Sequence, residues 1–282
     1  MSILALISSI EIGLFYAIVA LGVYLTFRII NLSDLTVDGT FTLGAAVTMR
    51  LVTLGYHPIV AFALAIIAGA CAGIATCFLS IQWRMPVLLA SILILTSLYS
   101  VNLRIMGKPN IALMHTYSMG NIGTPLVCGG VVCIVLALLY FFLTSQIGLA
   151  LRAVGNNARV APAYGIHVNC FKYLSLALSN GIIAFAGGFF ALVQGFSDIG
   201  MGIGTLVAGL ASVIIGEVIV GSKGVGYALI GCVVGSIIYR LLVGYALSIQ
   251  WVGLQPSDVN IITAIFVLLM MKIRTLSLRS LP

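Results

Sequence analysis

Charge is what this chain has least of. Only 7% of its 282 residues are Asp, Glu, Lys or Arg, where a soluble domain carries about 25%. A globular protein in water is thereby excluded. Acid is scarcer than base, with 6 acidic residues against 13 basic ones. The three histidines, His57, His115 and His167, lie in different loops. The sequence has no His-Glu-x-x-His, Gly-x-Ser-x-Gly or Gly-x-x-x-x-Gly-Lys-Ser/Thr motif. Motifs for a zinc hydrolase, a serine hydrolase or ATP hydrolysis by this chain are therefore missing. Cys71, Cys77, Cys128, Cys133, Cys170 and Cys232 sit in or beside apolar runs, with no Cys-x-x-Cys pair among them. Packing residues are expected there, with no disulfide and no metal site. "GMGIG", Gly200 to Gly204, follows no soluble strand, so a loop bend or helix packing is expected in place of a dinucleotide fingerprint.

What the chain does have is apolar length. It is 62% hydrophobic with a mean hydropathy of +1.24. Runs of about 20 apolar residues recur, each enough to cross a bilayer core, and the ten-residue alternation of a β-barrel is absent. The expected fold is an all-α polytopic membrane protein with eight or nine transmembrane helices. Candidate spans are 9–30, 40–55, 58–81, 86–106, 125–144, 171–194, 203–221, 224–247 and 257–273. The second is short and starts in a polar loop, which reads as a half-helix. Gln82, Trp83 and Arg84 make a tight turn before Pro86. The N-terminus lacks the basic start and cleavage site of a signal peptide, so the first segment is expected to remain a span.

The net charge of +7 is scattered between apolar segments, so it marks loop orientation and not a nucleic-acid surface. With nine spans and a cytoplasmic C-terminus, Arg28, Arg84, Arg152, Arg159, Lys172, Lys223, Lys272, Arg274 and Arg279 fall inside. Arg50, Arg104, Lys108 and Arg240 fall outside or within a span. That bias obeys the positive-inside rule. The whole chain, 1–282, reads as one transmembrane domain with a cytoplasmic loop over about 145–170.

That loop, "GLALRAVGNNARVAPAYGIHVN" from Gly148 to Asn169, is the main polar interruption. It is too polar to span and longer than most connections. Leu149 to Asn157 suits two to three helical turns with Leu151 and Val154 on one side. Asn156 or Asn157 can cap a second short helix that Gly165 ends. Two further breaks, Arg28 to Phe41 with Asp34 and Asp38 and Gly195 to Leu210 with Asp198, each precede a short span. In this topology those two spans run in opposite directions, as inverted repeats would place them around a transport pathway.

Ionisable and polar residues in or near spans are candidates for function. Asp34 and Asp38 stand one helical turn apart and either cap the following helix or contact substrate. Asn31, Ser33 and Thr36 belong to the same segment. Thr96, Tyr99 and Asn102 recur at i, i+3 and i+6, which predicts one polar face turned to a cavity or another helix. Asn180 and Gln194 have the same two readings.

These stretches resemble the permeases of bacterial ABC importers, in the family that moves branched-chain amino acids, ribose and related sugars. The resemblance rests on Gly148, Leu151, Arg152, Ala153, Gly155, Asn157, Ala161, Gly165 and Ile166 in the loop. It extends to "LSNGIIAFAGGFFAL", "LASVIIGE", "NLSDLTVDGTFTLGAA" and "LYSVNLRIMGKPNI", and so to nearly the whole chain. The first loop reads Asn31-Leu32-Ser33-Asp34-Leu35-Thr36, where the sugar branch has Gly-Gly-x-Asp-Leu-Ser. The match is therefore to a less characterised amino-acid-type subgroup.

The resemblance implies a multi-pass protein of the bacterial cytoplasmic membrane that pairs with a second permease subunit. Two cytoplasmic ATPase subunits would hold ATP-Mg, with no cofactor on this chain, and an extracytoplasmic binding protein would deliver the solute. Leu151 and Val154 would meet a groove of the ATPase, with Arg152, Arg159, Asn156 and Asn157 around them. An amino acid, branched-chain or aromatic, is the expected cargo, with a nucleoside or sugar as the alternative. A carrier driven by an ion gradient through Asp34, Asp38 or Asp198 is the competing class.

Overall fold

The computed structural model describes residues 3–113, 120–221 and 224–248, together with Ala264 and Leu268. Among the described residues the chain is helical almost throughout. The helices are α1 (Ile3–Tyr24), α2 (Thr36–Thr53), α3 (Pro58–Gln82), α4 (Val87–Met106), α5 (Gly120–Thr144), α6 (Gln146–Asn156), α7 (Val168–Gln194), α8 (Thr205–Val220) and α9 (Val225–Ser248). A π-helical turn, Leu25–Ile29, continues α1, and a 3₁₀ turn, Ala161–Tyr164, follows α6. Two three-residue strands, β1 (Asn110–Ala112) and β2 (Phe196–Asp198), pair antiparallel with Ile111 opposite Ser197.

Local chemistry sets the boundaries. Pro58 occupies the first turn of α3, and the His57 ring accepts from Ile59 N–H at 3.3 Å. Ser145 Oγ caps α6 by accepting from Gly148 N–H. Arg84 turns the chain at φ +52° between α3 and α4, inside the expected polar turn. The segment 257–273, expected as a ninth span, lies outside the described residues except for Ala264 and Leu268. Eight of the expected spans correspond to helices. Six of these helices are long and apolar enough to cross a membrane, and α8 is a shorter apolar helix. One expectation is corrected: the second span is no half-helix. α2 begins at Thr36 and runs 18 residues, about 27 Å, because the polar stretch from Thr36 to Thr42 finds partners inside the bundle.

Chain contacts divide into two compact units. The larger comprises Gly22–Gly120 and Phe141–Leu206, with α2, α3, α4 and α7 as its body. Here helices meet at backbone level. A Cβ on Gly44 would fall on the Ala184 carbonyl, one on Gly187 on the Phe41 carbonyl, and one on Gly73 on the Leu176 carbonyl. Small residues allow this close approach, the usual basis of helix association in lipid. The contacts Thr40–Asn180, Gly44–Ala184 and Gly188–Thr48 run in step, so α2 and α7 are parallel. Gly69 against Asn180 and Gly73 against Leu176 make α3 antiparallel to both. Those directions match the alternation expected for successive spans.

Of the described residues, the smaller unit comprises those up to Leu21, Asn121–Tyr140 and those from Val207 onward. In it α1 packs on α9, where Ser236 Oγ donates to the Gly13 carbonyl and the Arg240 guanidinium lies 4.2 Å from the Tyr16 ring centre. Gly216 and Gly231 bring α8 and α9 into backbone contact.

Candidate functional site

The polar residues fall into three groups. The first is a closed network around Asp34. Its Oδ1 accepts from Thr36 N–H at 2.8 Å and its Oδ2 from Asn180 Nδ2 at 2.7 Å. Thr40 Oγ1 donates to Asn180 Oδ1 at 2.7 Å, and the Thr36 and Thr76 hydroxyls share a hydrogen bond of 2.8 Å. Asp34, Thr36, Thr40, Thr76 and Asn180 are all fully buried. Asn180 is the thirteenth residue of the 27-residue α7, so the network sits about midway along that helix. Burial of a carboxylate is costly, and here each oxygen has its own donor. Asp34 thus secures the start of α2, and the network presents no surface to a solute.

The second group surrounds Asp38, in the first turn of α2. Its carboxylate does not cap α2. Oδ1 accepts from Leu206 N–H at 2.8 Å and from Thr205 Oγ1 at 2.9 Å, and Oδ2 accepts from Gly204 N–H at 3.1 Å. Asp38 therefore caps the start of α8, more than 160 residues further along the chain. A negative charge beside unpaired N–H groups at a helix start is favourable. Thr42 Oγ1 accepts from Gly202 N–H at 3.1 Å, and a Cβ on Gly202 would fall on the Asp38 carbonyl. Gly204 adopts φ +86°, so Gly200 to Gly204 is the expected loop bend. Asp198 accepts from Gly200 N–H at 2.8 Å, and Gln194 stands half-buried as the last residue of α7.

Thr96, Tyr99 and Asn102 do not share one surface, which corrects the expectation. Asn102 is buried and donates to the Gly39 carbonyl at 3.2 Å, with its Oδ1 enclosed and without a partner among the described residues. Thr96 and Tyr99 are exposed. Three steps along a helix rotate by about 300°, so i to i+6 spreads these residues over some 120°. That is wide enough to straddle a packing boundary.

The third group is the segment from α6 to the 3₁₀ turn. Asn157 Oδ1 accepts from Arg159 N–H and Val160 N–H at 3.1 and 3.3 Å, holding the bend that leads into the 3₁₀ turn, whose own N-cap, Val160, makes no side-chain cap bond; Gly165 ends the turn at φ +76°. Only the ending at Gly165 follows the sequence expectation, since Asn157 stands four residues ahead of the short helix it was expected to cap. The orientation of α6 departs from it as well. Leu151 and Val154, with Gly148, are buried within the chain, so they cannot be the outward contacts that the resemblance implied. Burying such side chains contributes about 2 kcal/mol each, and on a helix flanked by polar residues they seek the nearest apolar surface. A Cβ on Gly155 would fall on the Ile29 carbonyl. Asn31, at φ +56°, donates from Nδ2 to the Gly155 carbonyl at 3.0 Å. Gly155 and Asn31 therefore fasten α6 to the π-turn. The outward face carries Leu149, Ala153, Asn156, Asn157 and Arg159, all exposed, followed by Tyr164 at 79% exposure and the exposed Gly165. Arg152 is half-buried, and its Nε is enclosed without an acceptor among the described residues. Ser33 is exposed.

Comparison with known proteins agrees with this architecture. The model of the family described as "Branched-chain amino acid transport system / permease component" matches residues 5–273. A protein of Clostridioides difficile (strain R20291) named tyrosine transport system permease protein is 38% identical over 266 residues, covering 93% of this chain and 89% of that one. An uncharacterized protein of Rickettsia prowazekii (strain Madrid E) is 34% identical over 271 residues, covering 92% and 94%. Among solved structures, PsaBC from Streptococcus pneumoniae in complex with Fab shares the fold, with a TM-score of 0.57 at 16% identity over 98% of this chain and 94% of that one. With its apolar helices and a family match over nearly its full length, the chain belongs to the branched-chain amino acid transport permease family and is a multi-pass membrane protein.

Proposed function

We propose that the chain is the channel-forming subunit of an ATP-driven ABC importer, taking up a small solute handed over by an extracytoplasmic binding protein. An amino acid is the cargo this reading favours, aromatic or branched-chain, in keeping with the names of the family and of the Clostridioides difficile relative. The observation that carries the proposal is α6. It is a short capped helix that exposes Leu149, Ala153 and Asn156 while its opposite side is fixed to the π-turn through Gly155 and Asn31. A partner ATPase that seats on the outward face and shifts as it binds ATP would move α6 as a unit. The shift would pass to the end of α1 and to α7, which Ser179 Oγ joins by donating to the Gly22 carbonyl at 2.7 Å. Rocking of the spans between outward-open and inward-open states follows.

An ion-coupled carrier draws less support from the same geometry, since Asp34 and Asp38 have their oxygens occupied by protein donors. The deciding experiment is reconstitution in liposomes with a partner ATPase and an extracytoplasmic binding protein. Tyrosine or leucine uptake that requires ATP supports the importer. Uptake by the lone chain under a proton or sodium gradient without ATP overturns it.

A further inference from the structure

α4 carries a polar face that the buried networks do not use. Thr96, Ser97, Ser100 and Arg104 recur at helical spacing, and all four are exposed. Tyr99 stands at the edge of this face at 55% exposure. The centre of Val87–Met106 falls between Thr96 and Ser97, so Ser100 lies only about 5 Å from mid-span. Facing acyl chains at that depth is costly for a hydroxyl without a partner, by several kcal/mol. Thr96 and Ser97 lower that cost by donating back to the Leu93 carbonyl at 2.9 and 2.8 Å. Ser100 and Tyr99 have no such bond among the described residues, and a tyrosine at mid-span is far from the interfacial belt where lipid-facing aromatics collect. Neighbouring α3 is also exposed, at Ile66, Ile67 and Ile74 among others, and apart from Cys71 and the terminal Gln82 its exposed side chains are apolar, as lipid requires. The contrast separates a lipid-facing surface from one that needs water or a polar ligand.

We propose that the face of α4 formed by Thr96, Ser97, Ser100 and Arg104, with Tyr99 beside it, lines the solute pathway and takes a small polar solute of no net charge. This rests on the permease reading above. Hydroxyls both donate and accept, so one stripe serves the carboxylate and the ammonium of a zwitterion. No Asp or Glu stands anywhere on α4, and Arg104 adds a positive charge at one end of the face. A net cation is therefore disfavoured, and a carboxylate group is drawn toward Arg104.

The test uses the full transporter in liposomes, with this chain freed of its six native cysteines and carrying either Ser100→Cys or Ile67→Cys. Each is treated with a charged, membrane-impermeant methanethiosulfonate, with tyrosine as the probe solute. The expected result is Ser100→Cys labelling at least 10-fold faster than Ile67→Cys, with loss of ATP-dependent tyrosine uptake on labelling. Equal labelling of the two, in a transporter that still takes up tyrosine, overturns the inference and leaves the importer reading standing. Disulfide cross-linking of Ser100→Cys between two copies of the chain that leaves ATP-dependent tyrosine uptake intact also overturns it, since the face would then be a closed subunit contact. Absence of ATP-dependent uptake in the parent protein sinks the importer reading, while the labelling ratio still decides whether water reaches the face.

Discussion

Replacing Asn180 by leucine removes the donor that Asp34 Oδ2 accepts from at 2.7 Å, and puts an apolar side chain of similar size in its place. Three consequences can be separated. Asp34 keeps the Thr36 N–H on Oδ1 but has a bare, fully buried oxygen on the other side. Thr40 loses the Asn180 acceptor yet retains its bond to the Thr36 carbonyl at 2.9 Å, so its loss is small. The Leu176 carbonyl loses the side-chain donor but keeps its helical partner. The stranded carboxylate dominates, at about 3 kcal/mol for a charge-assisted bond lost without replacement. For a protein of this size that corresponds to a fall in melting temperature of about 5 °C. The assay is thermal unfolding of the detergent-purified chain, followed by the loss of its monodisperse elution peak. Asp34→Ala supplies the second leg of a cycle, and the pair Asp34→Ala with Asn180→Leu the third. Because Asn180→Leu harms mainly through Asp34, the double variant should melt within about 2 °C of Asp34→Ala alone. Strictly additive losses would refute the reasoning, since contacting partners in one network must couple.

Gly155→Ala places a Cβ on the Ile29 carbonyl and should displace α6 outward. The expected result is loss of ATPase co-purification with little change in yield, whereas Gly55→Asn, at a left-handed position with open space around it and away from α6, should retain the partner. Asp38→Ala strips three donors at the start of α8 of their acceptor. It should lower stability by about 2–3 kcal/mol in the same melting assay, with Asp38→Asn recovering roughly half through its remaining carbonyl oxygen. Among the native thiols, Cys71, Cys133 and Cys170 are exposed while Cys77, Cys128 and Cys232 are buried. A membrane-permeant maleimide should therefore add to at most three sites before unfolding, as read by intact mass, and a fourth adduct on the native protein would contradict the packing.

The sequence announces its helices plainly because apolar length and polar interruptions are one-dimensional signals. The ending of the 3₁₀ turn at Gly165 was legible for the same reason, since it acts within four residues of its own position. Leu151 and Val154 show where legibility stops. Their spacing places them on one side of α6, but whether that side meets a partner or the chain itself depends on how α6 packs against the π-turn and α7, neither of which its own sequence reveals. Asp38 is a second case. A carboxylate just inside a helix start reads as that helix's own cap, and nothing local announces that its donors come from Gly204, Thr205 and Leu206. Asn102 is a third, for in a chain apolar on nearly every side periodicity cannot choose which face turns inward. Ser97, Ser100 and Arg104 escaped notice because the i, i+3, i+6 series beginning at Thr96 drifts across α4, while the exposed row follows i, i+1, i+4 and i+8.

The glycine contacts among α2, α3 and α7 carry a mechanical consequence. Where Gly44 meets Ala184, Gly73 meets Leu176 and Gly187 meets Phe41, no long side chain lies between the backbones to change rotamer and absorb a slip. Sliding one helix past another by a turn would drive a Cβ over a carbonyl, so the trio behaves like keyed shafts. Whatever compliance the larger unit possesses must then lie in its irregular parts. The leading one is the π-turn Leu25–Ile29, where the Ile30 N–H reaches back five residues to the Leu25 carbonyl at 3.2 Å and the Leu32 N–H six to Thr26 at 2.8 Å. A single added or deleted residue there would rotate everything upstream of it by about 100° while leaving the keyed trio in register.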